Sequence, residues 1–555
     1  MTTSAGTITD LPVVVDRGSP VPLTAQIAAE LRAAMADGRL AAGERIASSR
    51  ALASVLGVSR TVVTSAYAQL YAEGWLDGRH GSGTYVAAGT SSGPVGQAAA
   101  VRGLAGESLL VARAFRPAPA RPALPPRSAE PQPHTAGTRA PASQFALGTT
   151  PQAGQGAAVA GLVPAGQAPQ PAAGSQWPPQ SAGMIDLRPG IPWASGISQL
   201  AWRRAWRHAG QQQPSADQAA GGLPELRAAL AGQLRRSRGM SCDPGQVLIT
   251  RGVAASLRLL AATVLRPGDL VAVEEPGYPA ARAVFAAHGA LIVPCRADEH
   301  GLVVSELPAR ARLVYVTPAH QYPLGGRLSV PRRQALIAWA RSAGALIVED
   351  DYDSEFRYDV APLPALFGLD PEAVVYLGTT SKTLTPALGV GWLAASPQLA
   401  SRIASAAVSL GERVSEAAQH AFGGLLSSGE LDRHVRRMRR EYARRRAVVV
   451  ASLSQPVPGA DPAASGPRLL GDTAGLHVVL RLPPGTADPI AASARSRGVA
   501  VLTLERYFAG PPSLEGLVLG YGGAALSQVS RGCAVLAGIL AEAELAGHRA
   551  PDGRA

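Results

Sequence analysis

The pattern of apolar and polar positions divides the chain into four parts. Residues 1–88 carry apolar side chains at helical spacing, whereas residues 89–184 show no lasting period. Residues 185–547 alternate short apolar runs with helical stretches, and residues 548–555 form a short polar tail. We therefore predict two folded domains, a disordered linker between them and a disordered tail.

Three helices are predicted in the first domain. The first runs from Leu23 to Asp37, and the second is short and begins at Ser48 or Ser49. The third follows Ser59, whose hydroxyl can cap it. The apolar positions that this third helix would bury are Val62, Val63, Ala66 and Leu70.

This arrangement leaves a polar face on the third helix, formed by Arg60, Thr61 and Thr64. Two helices joined by a tight turn place the start of the second helix in a DNA major groove. The stretch from Trp75 to Val86 then predicts two strands around a glycine-rich tip at Gly81. The first domain therefore has the pattern of a winged helix-turn-helix.

The linker is dominated by Pro, Ala, Gly, Gln and Ser. Such a segment cannot bury enough apolar surface to offset the entropy that folding would cost. As a coil of nearly a hundred residues, it would span on the order of 50–60 Å. It can connect two domains without fixing their relative geometry.

The second domain predicts an α/β fold. Five apolar runs read as strands and are separated by helical stretches, which favours a mostly parallel sheet covered by helices on both faces. The runs are 247–250, 270–273, 313–316, 345–348 and 373–377. Ligands of such sheets bind beyond the carboxyl ends of the strands.

Polar and aromatic side chains follow four of these predicted strands. Tyr278 follows the second strand, His320 the third, and Asp350 and Tyr352 the fourth. The fifth strand leads directly into Lys382. Because these strand ends meet at one edge of the sheet, we expect the five side chains to lie around one pocket.

The composition of the chain singles out Lys382 as a candidate reactive residue. It is the single lysine among 52 basic residues, and all the others are arginine. A guanidinium stays protonated, whereas a desolvated lysine amine can lose its proton and attack an aldehyde to form a Schiff base. A lysine retained by chance on the surface is the plainer alternative for a residue considered alone.

Charge and cysteine content limit the classes of protein that fit. The net charge of +12 permits a nucleic-acid partner, although residues 1–86 hold seven arginines and seven acids. DNA affinity would therefore come from arginines grouped on one face. Cys242, Cys295 and Cys533 lack metal-ligand spacing, and no apolar run reaches the ~18 residues of a membrane span. We expect a cytoplasmic protein with free thiols and no bound metal.

The first domain closely resembles the DNA-binding domain of the GntR group of bacterial transcription regulators. The matching stretches include 48–50, 56–61, 66–67 and 81–86. The resemblance implies binding to double-stranded operator DNA, with Arg50 and Arg60 on phosphates or base edges and the Gly81 tip in the minor groove. The implied DNA-binding set is Arg50, Ser59, Arg60, Thr61, Thr64, Tyr67, Arg79, His80 and Gly81.

The second domain resembles the aminotransferase fold that binds pyridoxal 5'-phosphate, and the whole chain resembles the MocR-type regulators of the GntR group. The resemblance implies that Lys382 forms the Schiff base with the cofactor, Asp350 pairs with the ring nitrogen and Tyr352 bonds the ring oxygen. It also implies a homodimer that responds to a small-molecule effector. The remaining implied cofactor contacts are Tyr278, Thr379, Ser381, Gly252, Val253 and His320.

Three positions depart from that family pattern. Gly389 stands where the family has an arginine that clamps the phosphate, and Val518 stands where an arginine often binds a substrate carboxylate. The turn at Gly252 and Val253 also lacks a polar side chain. Without these contacts, we expect little transaminase turnover.

Three functions remain open at this point. The first is a transcription regulator that senses pyridoxal phosphate or an amine or amino-acid effector. The second is an active pyridoxal-phosphate-dependent aminotransferase with a DNA-binding appendage. The third is a regulator whose second domain no longer holds the cofactor and serves only to dimerise.

Overall fold

The computed structural model describes residues 13, 15–18, 21–36, 39–79, 83–87, 183–216, 219–358, 364–454, 467–471 and 473–548. The predicted linker and tail lie outside the described residues, apart from 183–184 and 548. His80 and Gly81 also lie outside them. Within the described part of the chain, no helix is both long and apolar enough to cross a membrane.

The first domain is a winged helix-turn-helix, as the pattern predicts. Its elements are α1 (Leu23–Ala36), α2 (Ser49–Leu56), α3 (Arg60–Glu73), β1 (Leu76–Arg79) and β2 (Gly83–Val86). Ser48 caps α2 by accepting from Ala51 N, and Ser59 caps α3 by accepting from Val62 N. Gly57 ends α2 with φ +62°, a conformation that favours glycine.

The core of this domain forms where the helices cross. Ile27, Leu31 and Met35 of α1 pack against Val63, Ala66 and Leu70 of α3, and all six are fully buried or nearly so. The wing strands β1 and β2 pair antiparallel. The helical period of the sequence therefore predicted the burial of Val63, Ala66 and Leu70 correctly, while Val62 is only partly buried.

The end of α3 lies against the second domain. A Cβ built on Gly74 would stand 3.5 Å from Ser329 Cβ, and Val330 packs on the core of the winged helix. Glu73, the last residue of α3, is buried and binds Arg32 of α1 at 2.7 Å. The third helix is thus tied both to its own domain and to the larger one.

The second domain is built on an eight-stranded sheet. Its strands, in spatial order, are β4 (Val247–Thr250), β11 (Gly391–Ala394), β10 (Val374–Thr379), β9 (Leu346–Asp351), β8 (Leu313–Val316), β5 (Leu270–Glu275), β6 (Leu291–Asp298) and β7 (Gly301–Leu302). Strands β10, β9, β8, β5 and β6 run parallel to their neighbours within that series. Strand β11 is antiparallel to β10 and β4, and β7 is antiparallel to β6. The prediction of a mostly parallel sheet is confirmed.

Helices cover both faces of this sheet. Alternate strand residues enter two separate apolar cores, with Val314 in one and Leu313 in the other. The covering helices are α4 (Gln199–Gly210), α5 (Pro224–Arg238), α6 (Val253–Val264), α7 (Pro279–Ala287), α8 (Val330–Ala343), α9 (Thr380–Thr383), α10 (Pro397–Ser409) and α11 (Glu416–Ser427).

A smaller antiparallel sheet follows toward the end of the chain. Its spatial order is β12 (Arg468–Leu470), β13 (His477–Leu482), β16 (Glu515–Gly520) and β15 (Leu502–Thr503). The short strands β3 (Ile185–Asp186) and β14 (Val499–Ala500) pair parallel beside it. The helices α12 (Glu430–Leu453), α13 (Ala487–Ser496) and α14 (Leu526–His548) complete this part.

Candidate functional site

A cavity of about 300 Å³ lies beyond the carboxyl ends of the strands of the large sheet. The start of β13 and the segment at Gly190 close its other side. The lining residues come from seven separate stretches of the chain, which are 190, 251–254, 278, 315–322, 350–353, 379–386 and 476–477. The fold therefore gathers residues that are far apart in the chain.

Lys382 enters this cavity from the short helix α9. Thr379 caps that helix by accepting from Ser381 N, so the lysine is held one turn beyond strand β10. The Nζ atom donates to Gly190 O at 2.7 Å. Burial lowers the pKa of Lys382, while the carboxylates of Asp353 and Asp350 oppose that shift. The amine is therefore closer to its neutral, nucleophilic form than a surface lysine is.

Asp350 lies at the end of β9 and faces the same cavity. Its Oδ2 atom accepts a short hydrogen bond from the Tyr315 hydroxyl. Its Oδ1 atom is buried and has no hydrogen-bond partner among the described residues. Burial raises the pKa of Asp350 to about 7, against the effect of the Tyr315 hydrogen bond. A buried carboxylate oxygen without a donor is costly, so this oxygen is available to accept a hydrogen bond from a ligand in the cavity.

Tyr352 is held by a buried histidine and a carboxylate. The Tyr352 hydroxyl lies 2.9 Å from His320 Nδ1, which lies 3.0 Å from Asp353 Oδ2. We assign the proton to Nδ1, because a carboxylate accepts there. The phenol oxygen then accepts from the same N–H, and its own hydrogen is free to point into the cavity.

His320 occupies a different place from the one the resemblance implies. The sequence predicted a cofactor contact, but His320 is 2% exposed and lies behind Tyr352 rather than in the cavity lining. The short loop after β8 turns its ring away from the strand end and toward Asp353. His320 can therefore act on a ligand only through the Tyr352 phenol.

His477, at the start of β13, joins this buried group. Its Nε2 atom lies 2.9 Å from Pro323 O, which identifies Nε2 as a donor. Burial and the nearby His320 lower the pKa of His477 to about 3, so the ring is neutral. Ligand atoms of His320, Asp353 and His477 lie within 4.8 Å of one another, a spacing that could hold a metal ion. Each of the three makes a hydrogen bond to another residue, while His320 Nε2 is buried without a partner among the described residues.

Aromatic rings and hydroxyl groups line the rest of the cavity. Tyr278 follows β5 and meets Tyr322 edge to face, with ring centroids 5.9 Å apart. Burial raises the pKa of Tyr278 to about 12, so its hydroxyl is neutral. At the opposite end, Thr379 Oγ1 and Ser381 Oγ lie 3.0 Å apart. One end of the cavity is thus aromatic and the other polar.

The start of helix α6 also faces the polar end. Gly252 is the N-cap residue, with φ +99°, and no side chain caps the helix. Gly252, Val253 and Ala254 line the cavity. Free N–H groups at a helix start favour an anion such as phosphate. The two positions predicted here from the sequence, Gly252 and Val253, both line the cavity.

Several lining residues were not predicted from the sequence, among them Arg251, Tyr315, Tyr322, Asp353 and His477. Tyr315 and Asp353 belong to apolar or acidic runs that also fit a structural role, and His477 is a lone histidine opening an apolar strand. Of these, Tyr322 and Asp353 stand within stretches already recognised at strand ends and could have been found there.

The surface of the winged helix presents part of the predicted DNA-binding set. Arg50, Ser59, Arg60, Thr61 and Thr64 are all exposed on α2, α3 or the turn between them. Tyr67 is not: it is 4% exposed, and its hydroxyl donates to Ala47 O at 2.7 Å. The inclusion of Tyr67 in the DNA-facing set is therefore wrong, because the ring fills the core between α2 and α3. Arg79 ends strand β1 at the wing.

Val518 lies away from the cavity. It is fully buried on β16, in an apolar cluster with Leu324, Val479, Leu502, Leu504, Tyr507 and Phe508. Gly389 ends a short 3-10 turn with φ +64° and has no neighbouring atom where a Cβ would stand. Neither position brings a cation toward the lysine.

Two family models match separate parts of the chain. Residues 23–86 match the model "Bacterial regulatory proteins, gntR family", and residues 191–513 match the model "Aminotransferase class I and II". The two matches coincide with the winged helix and with the larger domain. They leave the whole predicted linker, 89–184, uncovered.

Curated relatives contain both parts. The chain is 32% identical to the HTH-type pyridoxine biosynthesis transcriptional regulator PdxR of Corynebacterium glutamicum, over 93% of this chain and 95% of that protein. It is 33% identical to the probable rhizopine catabolism regulatory protein MocR of Rhizobium meliloti, over 92% of each. Among solved structures, it is similar to LysN, an α-aminoadipate aminotransferase of Thermus thermophilus complexed with N-(5'-phosphopyridoxyl)-L-leucine. That match has a TM-score of 0.58 and 26% identity, over 66% of this chain and 94% of that one.

Proposed function

Because this chain belongs to the MocR-type transcription regulators, which join a GntR helix-turn-helix to an aminotransferase class I and II domain, we propose that its second domain binds pyridoxal 5'-phosphate at Lys382. In this proposal the regulator senses the cofactor itself or an amine or amino acid that reacts with it. The observation that carries the proposal is the pairing, in one cavity, of the chain's single lysine with the unpartnered Oδ1 atom of Asp350.

The lining residues fit this cofactor at each of its ends. The unpartnered oxygen of Asp350 would accept from the protonated ring nitrogen, and the Tyr352 hydroxyl would donate to the ring oxygen. Tyr278 offers an aromatic face. Thr379, Ser381 and the free start of α6 would hold the phosphate. A cavity of about 300 Å³ is large enough for a small ligand of this kind.

Pyridoxal phosphate, when bound, supplies an aldehyde that reacts with primary amines, together with a ring that withdraws electrons. The protein provides the surroundings for that chemistry. Burial favours the neutral amine of Lys382, and Gly190 O positions it. The Asp350 carboxylate would stabilise a proton on the ring nitrogen, because a negative charge beside it favours the protonated form. Asp353 and His320 fix the position of the Tyr352 hydroxyl, which would face the ring oxygen.

The proposed DNA-reading surface is the start of α3 with the neighbouring turn. Arg50 and Arg60 would bind phosphates or base edges, and Ser59, Thr61 and Thr64 would face the groove. Arg79, His80 and Gly81 of the wing would enter the adjacent minor groove. Tyr67 is buried and has no part in this role.

We further propose that the regulator works as a homodimer. Two winged helices would then read paired half-sites, and an effector that favours one arrangement of the dimer would change DNA affinity. The buried apolar surroundings of Val518 provide no carboxylate clamp, which favours sensing over sustained transamination.

The proposal is tested by titrating pyridoxal phosphate into full-length protein bound to its own upstream DNA and recording the footprint. We expect a visible absorption band and a change in the footprint over the same concentration range. If the protein binds DNA but takes up no cofactor, the second domain serves only for dimerisation. Stoichiometric conversion of an amino donor and a keto acid would instead favour the aminotransferase.

A further inference from the structure

Arg251 is the one arginine, among the described residues, that lines the cavity around Lys382. It stands between the last residue of β4 and the N-cap of α6, at the polar end with Thr379 and Ser381. Its side chain is 54% exposed, and it contacts Glu412 through Nε at 2.9 Å and Nη2 at 2.5 Å. Arg251 is therefore part of the cavity lining, while its guanidinium is solvent-exposed and bound to Glu412.

The Arg251 guanidinium can leave Glu412 because water can solvate it. The Arg251 side chain is 54% exposed, whereas the Glu412 side chain is 15% exposed. Glu412 also binds Arg258, whose Nη2 atom lies 3.3 Å from Glu412 Oε1. Burial alone would raise the pKa of Glu412, but the hydrogen bonds from Arg251 and Arg258 bring it below its ordinary value. Glu412 would keep one arginine if the other moved away.

We propose that Arg251 binds the phosphate group of the cofactor and leaves Glu412 to do so. The inference rests on the proposed function, because it concerns the same cavity and the same ligand. It gives Arg251 a role in phosphate binding in addition to the hydroxyl groups and the free start of α6. The ligand group is a phosphate monoester held by a guanidinium.

The electrostatics of the polar end support this assignment. A phosphate monoester carries nearly two negative charges, and two hydroxyls with a helix start offer only partial positive charge. The Nζ atom of Lys382 already donates to Gly190 O, and Gly389 has no side chain. A guanidinium can meet a phosphate with two parallel hydrogen bonds, so Arg251 supplies the missing full charge.

The test compares the dissociation constants of pyridoxal phosphate and of pyridoxal, which lacks the phosphate. Binding is followed by protein fluorescence in the full-length protein and in Arg251→Gln. We expect Arg251→Gln to weaken binding of pyridoxal phosphate by roughly tenfold or more while leaving pyridoxal binding unchanged. Equal affinity of the two proteins for pyridoxal phosphate would overturn the assignment and leave the proposed function standing.

Two further variants separate phosphate binding from disruption of the local ion pairs. Arg258→Gln removes the other partner of Glu412 but lies outside the cavity, and we expect unchanged affinity for both ligands. Glu412→Gln frees Arg251 and should tighten pyridoxal phosphate binding several-fold. If all three variants weakened both ligands alike, the effect would be structural and the assignment wrong. Absence of pyridoxal phosphate binding by the unaltered protein would overturn the proposed function, and this inference with it.

Discussion

At the scale of single residues, Lys382 and Asp350 face one cavity from neighbouring strands, and each is perturbed by burial. The amine has a lowered pKa and the carboxyl a raised one, so both spend more time neutral than they would in water. Perturbed groups of opposite type in one cavity are typical of binding and catalytic sites. Two predictions follow from these two residues separately.

The first concerns the amine. Lys382→Ala should abolish the visible absorption band of bound cofactor and leave the circular dichroism spectrum unchanged. After borohydride reduction, mass spectrometry should find the adduct on Lys382 in the unaltered protein. Because the chain has no other lysine, the only competing primary amine is the α-amino group. A persisting band in the variant, or an adduct elsewhere, would remove Lys382 from its role.

The second concerns the stability of the cofactor-free protein. Burial raises the pKa of Asp350 from 3.8 to about 7, so the folded state binds a proton in this range that the unfolded chain has lost. The free energy of unfolding therefore falls as the pH rises from about 4 to about 7 and levels off above it. In Asp350→Asn this fall should be smaller, by on the order of 4 kcal/mol at most.

Urea unfolding at several pH values between 4 and 8 measures that difference. The exposed Asp488→Asn is a matched control and should retain the full decline. Glu274 and Glu349, whose pKa values burial also raises to about 7, should preserve part of the slope in every variant. An identical slope in Asp350→Asn and the unaltered protein would contradict the assigned protonation of Asp350.

The sequence predicted the cavity residues that lie at strand ends. It could not predict those that reach the cavity only through the tertiary fold. Asp350, Tyr352 and Tyr278 were predicted because each comes a few residues after an apolar run, and Lys382 also because it is the single lysine of the chain. His477 comes from the smaller sheet nearly a hundred positions later, and Arg251 is one of many arginines. Their approach depends on domain packing, which local patterns do not encode.

At the scale of elements, predictions succeeded where burial has a clear period. Helix α3 buries the face that its spacing indicated, and the five predicted strands all lie in the large sheet. Strands β6 and β11 were not predicted. Strand β6 is only partly buried and contains Pro294, and β11 is a four-residue run with Gly391 and Trp392. Their place in the sheet is decided by neighbouring strands rather than by their own composition.

Helix α3 carries the third prediction. Arg60 is its first residue and is exposed, so Arg60→Ala should weaken binding to the upstream DNA by roughly 1–3 kcal/mol if it reads a base. Fluorescence anisotropy with labelled DNA measures the change. Arg495→Ala, an exposed arginine on α13 of the other domain, is the control and should have no effect. Unchanged binding in Arg60→Ala would place the reading surface elsewhere.

At the scale of the whole molecule, two domains of unlike type share one chain. The winged helix has its own apolar core, and the larger domain has several of its own. Each domain buries its apolar side chains in its own core. Coupling between the two domains therefore depends on contacts such as that of Val330 with the winged-helix core. A regulator needs that coupling to differ between liganded and free states.

The fourth prediction concerns assembly. If the protein is a homodimer, sedimentation equilibrium should give twice the 56.9 kDa chain mass at micromolar concentration. The mass should be the same with and without pyridoxal phosphate, because the proposed ligand changes the arrangement and not the number of chains. A monomer at that concentration would exclude reading of paired half-sites by a preformed dimer.

Because Gly74 packs against Ser329, the C-terminal end of α3 is anchored on the larger domain. Its 14 residues span about 21 Å at the usual rise, so a tilt of about 10° at the anchored end would swing Arg60 by about 3–4 Å. A displacement of that size exceeds the tolerance of a hydrogen bond to a base edge. A slight movement beside Ser329 would therefore be enough to displace Arg60, at the other end of α3, from its contact with DNA.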